Sequence, residues 1–266
     1  MKIAKILTLG FLAVGAWIAN WILLKQTIYQ GESLIFMGWP SLATILGITF
    51  LTFFLLTNKN RIVSLILDLL ILAGYIIVMP KSLYVILGGV IFFGFLILFE
   101  QRLASEEKSR LDFSIRRVMM GSISLTIYAL LLLIGLNVYY NTQTDFTNNP
   151  DAYYVKLELA ARRVADRTVP YYTKAFDQQL NEAQKQQMSD LVAKEAVDKI
   201  KESAGSYQQY LPFILAIIVI GLLSSFAFLL RWATVIVSWG IFRILVAVKF
   251  FKLEKEMVEV QKLTIQ

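Results

Sequence analysis

LPFILAIIVIGLLSSFAFLL, residues Leu211 to Leu230, carries no charged side chain. An α-helix of about 20 such residues spans the roughly 30 Å hydrocarbon core of a bilayer. In water it would need apolar neighbours on every side. The chain cannot supply them, because further stretches of the same kind compete for cover: Ile6–Leu24, Leu34–Leu56, Ile62–Met79, Leu83–Phe99 and Val118–Tyr140. Of all 266 residues, 57% are hydrophobic and 17% charged, with a mean hydropathy of +0.62. A soluble domain is about 45–50% apolar and 25% charged. The sequence therefore predicts an all-α, polytopic transmembrane helical bundle. Its expected parts are a bundle over 1–140, a small helical insertion over 141–208, a sixth span over 209–230 and a tail over 231–266.

Three details of the spans matter. Lys2 and Lys5 before the first apolar run resemble a secretory leader, but the run continues through Trp21-Ile22-Leu23-Leu24, and the best small-residue cleavage site would put bulky Trp17 three residues before the cut. A retained first span is expected. In the second span Trp39-Pro40 removes one backbone donor and predicts a packing kink. In the fourth, Gly88, Gly89 and Gly94 predict close helix approach.

Basic residues in short loops set the orientation. The side holding the N-terminus carries Lys2, Lys5, Lys59, Arg61, Arg102, Lys108, Arg110, Arg116, Arg117 and Arg231, against Lys25 and Lys81 opposite. This predicts a multi-pass protein of the cell membrane, with its N-terminus cytoplasmic and residues 141–208 extracytoplasmic. That insertion is nearly neutral, with nine Lys/Arg against ten Asp/Glu, so the overall charge of +7 lies in the loops. No basic stripe interleaved with aromatics points to nucleic acid. The expected partner surface is the lipid bilayer.

Trp232–Phe251 reads in two ways. A seventh span would bury Arg243, which costs about 2.5–3.5 kcal/mol on insertion scales, and would translocate the lysines after it. Arg231, Thr234, Ser238, Lys249, Lys252 and Glu256 lie near one helical face. The favoured expectation is an interfacial helix with that face in water.

In the insertion, Asn149-Pro150-Asp151 is a helix start, with a capping Asn, Pro in the first turn and an acid at the positive end of the dipole. Thr168-Val169-Pro170 predicts a break, followed by helical stretches Tyr171–Leu180 and Asn181–Glu202. About 60 residues make a marginal core; the favoured expectation is that its apolar faces close on each other, and the alternative is self-association or a protein partner through 150–204. Tyr153, Tyr154, Tyr171 and Tyr172 are the candidate partner surface, with interfacial anchoring as the alternative.

The chain has neither Cys nor His. That removes disulfides, thiolate and His-based catalysis, nearly all zinc chemistry and the usual haem and iron–sulfur ligands. No GxxxxGK[ST] or GxGxxG cradle is present, so no cofactor, metal site or catalytic residue is predicted. Asp68 is the acid inside a span. Such a residue is costly and marks a functional site by default. Its structural alternatives are a pair with Arg243 or a hydrogen bond to Asn20 or Asn137. The leading reading is a non-catalytic scaffold or complex subunit using the insertion for partner contact. The alternative is a small transporter or channel component with Asp68 as the intramembrane polar site.

Overall fold

The computed structural model describes residues 2–29, 38–108, 114–175, 181–204 and 209–251. Its helices are α1 (Lys2–Tyr29), α2 (Gly38–Thr57), α3 (Arg61–Val78), α4 (Leu83–Lys108), α5 (Ile115–Asn148), α6 (Pro150–Ala175), α7 (Glu182–Ala204) and α8 (Leu211–Ala247). Among the described residues there is no strand. Six helices, α1 to α5 and α8, are long and apolar enough to cross a bilayer. The chain is an all-α polytopic bundle and an integral membrane protein. It divides into two compact units, Met1–Asn137 with Ile220–Gln266, and Val138–Val219.

The first unit is organised by one side of α3. Ser64, Leu67, Asp68, Ile71, Gly74 and Tyr75 are buried, recurring at intervals of three and four so that they form one inward stripe. Ile66, Leu70 and Ile77 point outward. Asn60 starts the helix by accepting the Ile62 amide at 3.0 Å, which satisfies a donor the first turn leaves free. Trp17 and Trp21 of α1 stack at 5.1 Å between ring centroids, and both meet Phe92 of α4 edge-on. Gly89 lets α4 come close to α3. A Cβ there would lie 2.9 Å from the Tyr75 ring, so the fourth span does use its glycines for close approach. Gly94 has open space instead. Pro40 falls in the first turn of α2, where its missing N–H costs no helical bond, so the physical reason for the expected kink is absent.

The largest departure from the sequence reading is α8, which runs unbroken past Arg231. Its residues meet successive neighbours along the bundle. Ile220 lies against Gly135, the Arg231 guanidinium donates to the Met120 carbonyl, and Ser238 shares a hydrogen bond with Thr49 at 2.7 Å. Phe242 packs near Phe53. Thr234 and Ser238 are fully buried, while Trp232, Ile236 and Ile244 are exposed. The polar stripe therefore faces the bundle and the apolar side faces outward, the reverse of an interfacial helix. Lys252 and Glu256, at the far end of that stripe, lie outside the described residues. In lipid this is the favourable arrangement, because the bundle interior offers polar side chains such as Ser238 a partner that hydrocarbon cannot. The continuous helix also leaves no turn for a separate seventh crossing among the described residues.

The second unit contains the hairpin of α6 and α7. Asn149 and Pro150 start α6 as expected. The expected break at Thr168-Val169-Pro170 is absent, since α6 continues to Ala175. Ala165 and Val169 are both buried, and packing before the proline holds the backbone helical despite one missing donor. Residues 176–180 of the expected second stretch lie outside the described residues. Tyr154 and Val197 form the centre of a small apolar core with Phe146, Leu157, Ala161, Leu211 and Leu215 around it.

Candidate functional site

Asp68 is fully buried, and neither carboxyl oxygen has a hydrogen-bond donor among the described residues. The neighbour that faces it is Glu100 of α4, with Arg61 close to Glu100 in turn. One Glu100 carboxyl oxygen is also buried without a partner among the described residues. Two carboxyl groups thus approach one another, the first fully buried and the second half-buried, with the Arg61 charge near enough to act on the second. Carboxyl groups in this arrangement can hold a proton between them or bind a cation. Among the described residues no three His, Cys, Asp or Glu side chains gather as a metal site.

The partners weighed from sequence are elsewhere. Arg243 is exposed, its guanidinium over the Trp239 ring at 5.4 Å. The inward side of α8 is occupied by Thr234 and Ser238, so Arg243 points away from the bundle and the Asp68–Arg243 pair is not formed. Asn20 accepts from Thr44 at 3.1 Å. Asn137 accepts from the Tyr29 hydroxyl and donates to that of Tyr75, each at 2.8 Å. Asn137 therefore joins α1, α3 and α5. Glu100 was missed because the apolar run ends at Phe99, making the next residue look like loop. The signal was the continued helical pattern, which carries α4 on to Lys108.

The hairpin offers a second candidate. Tyr154 is buried against Phe146, and the Lys201 ammonium lies over its ring at 4.6 Å. Tyr154 is therefore a core residue, correcting its assignment to a partner surface; its ring is the largest apolar body the small core has to cover. Burial raises the pKa of its hydroxyl above the ordinary value. The side chains of Tyr153, Tyr171 and Tyr172 lie outside the described residues. What the hairpin exposes is aliphatic: Leu191 at 69%, with Val155 and Leu159 across the seam. These line a groove of about 420 Å³ together with Glu158, Arg162, Asp190 and Lys194. Arg162 and Asp190 bridge it at 2.7 Å. By spacing Leu191 belongs with Met188, Val192, Ala196, Val197 and Ile200 on one apolar side of α7; the structure buries Ala193 and Val197 and leaves Leu191 outside.

Comparison of the chain with protein-family models, with curated proteins and with solved structures gives no match.

Proposed function

We propose that the chain is a non-catalytic scaffold or complex subunit of the cell membrane, with the α6–α7 hairpin outside the cytoplasm as its partner-binding part. The observation that carries this is the exposed aliphatic face of Val155, Leu159 and Leu191 on a hairpin otherwise rich in charge. Lipid covers the outward leucines of the spans; a polar hairpin in water has no such cover, and an exposed apolar patch there marks a contact surface. The excess of Lys and Arg in alternate short loops supports the orientation. The test is purification of the full chain from its own membranes, in native form and as Leu191→Asp. A specific companion retained by the native chain and lost with the variant is the expected result. An identical set of companions overturns the reading.

A second reading rests on a different observation, the two Asp68 oxygens without donors beside Glu100. A buried acid left in this state suits a site that binds a cation or proton during transport. Vesicles reconstituted with Asp68→Asn should lose coupled flux if this reading holds, and flux equal to the native rate would reject it.

A further inference from the structure

The groove of the hairpin has a charge pattern that fits itself. Tyr154 of α6 packs with Val197 and Lys201 of α7, while Arg162 pairs with Asp190. As α6 advances, its partners on α7 recede, so the two helices are antiparallel. Arg162 and Asp190 therefore define one height along the seam. Glu158 and Lys194 lie one turn away from it in the same direction, about 5.4 Å along, and share a second height. Both line the groove, and neither has an ion-pair partner among the described residues. At each height one helix carries an acid and the other a base.

Deepening the partner-contact reading, on which this rests, we infer that the occupant of the groove is the same face of a second copy of this chain. A two-fold axis running along the hairpin sets α6 of one copy on α7 of the other without changing height. Glu158 then faces Lys194 of the second copy, and Arg162 faces its Asp190, twice over by symmetry. The exposed Leu191 side of each copy comes against the Val155–Leu159 side of the other, covering the aliphatic floor. A partner of uniform charge would meet like charge at half of these positions; a copy meets opposite charge at all four. The patch is small, and confinement of both copies to one membrane raises their effective concentration.

Charge complementation tests this with the full chain in lipid vesicles, measuring the dimer fraction by energy transfer between labelled copies as the chain is diluted in lipid. Glu158→Lys alone and Lys194→Glu alone should each weaken the dimer about ten-fold, since each places like charges opposite one another. Mixing the two variants should restore pairing, because the lysine introduced in one copy then meets the glutamate introduced in the other, and the two native side chains left at these positions also meet as opposites. Both positions are on the exposed surface, so folding is spared. The chain has no cysteine, which permits a second arm: with a mild added oxidant to take up the two electrons and two protons, Glu158→Cys and Lys194→Cys copies should form a disulfide when mixed and none when alone with themselves. Self-association is overturned if native copies stay monomeric, if the charge variants pair as well as the native chain, or if the mixture recovers nothing. If native copies stay monomeric while Leu191→Asp still releases another protein, the occupant is that protein and only the partner-contact reading stands. If neither occurs, both fall.

Discussion

Leu70 in the bundle and Leu191 in the hairpin are exposed to similar extents, 52% and 69%, yet they mean opposite things. Around Leu70 the neighbouring outward residues are also apolar, and the buried ones include Asn20, Thr44, Asp68 and Asn137. Around Leu191 the outward residues mix charges such as Asp190 and Lys194 with a few apolar side chains, and the buried ones, Ala193 and Val197 with Ser189, are mostly apolar. The solvent differs, so the meaning of exposure differs. In lipid an outward leucine is at rest and an inward polar group needs a partner. In water the reverse holds, and an outward leucine is available for contact.

Placing the same charge at both positions breaks the comparison most directly. Leu70→Lys should destabilise the bundle by about 3 kcal/mol, the insertion cost of a charge near the middle of a span. Leu191→Lys should change stability by about 0.5 kcal/mol or less. Detergent-titrated unfolding of the full chain measures both, and equal costs would end the distinction. Asn137→Leu comes next. It removes the two hydrogen bonds by which Asn137 holds the Tyr29 and Tyr75 hydroxyls, and a loss of about 2 kcal/mol is expected from the same titration. Gly89→Ala should cost about 1–2 kcal/mol, because the added methyl meets the Tyr75 ring at 2.9 Å and overpacking at that distance forces movement. Stability unchanged by Gly89→Ala would show that α4 has slack against α3.

The smallest effect lies in the hairpin and depends on pH. Burial lifts the Tyr154 hydroxyl above its ordinary pKa, so the folded hairpin disfavours the phenolate. The sign follows from the linkage: ionising this hydroxyl is harder in the folded state than in the unfolded one. Stability is therefore undiminished below the unfolded tyrosine value of about 10, and is lost as pH rises through the folded value. Hydrogen exchange of α6 amides is expected to speed up over that alkaline range in the native chain, and less so in Tyr154→Phe. An identical alkaline response in both would remove Tyr154 as the cause.

Much of the fold was legible because lipid imposes a length. Runs such as Leu211–Leu230 announce helices whatever their neighbours are, and α1 to α5 and α8 follow them. Periodicity also located a polar stripe on the last helix, but a stripe states only that one side differs. It cannot tell whether water or other helices cover that side, and Thr234 and Ser238 turned out to face Thr49 and the bundle. Asp68 was legible as an acid within an apolar run. Its neighbour Glu100 was not, because the residue just after Phe99 gives no sign of whether it leaves the span or turns inward. Tyr154 was hidden for a related reason: an aromatic residue in a small domain serves equally as core or as surface, and only the position of Val197 across the seam decides.

The hydroxyls of the bundle carry an implication for its manufacture. Thr234 donates to the Leu230 carbonyl at 2.7 Å, Thr49 to Ile45 at 2.7 Å, Thr52 to Ile48 at 2.8 Å and Ser122 to Val118 at 2.9 Å. Each partner belongs to the helix that bears the hydroxyl. A newly made helix can therefore leave the translocation machinery and rest alone in lipid with these groups already satisfied, and lateral docking can follow at leisure. Asn137 and Asp68 have no such provision for all their polar atoms, so the spans that carry them have the stronger reason to find their neighbours early.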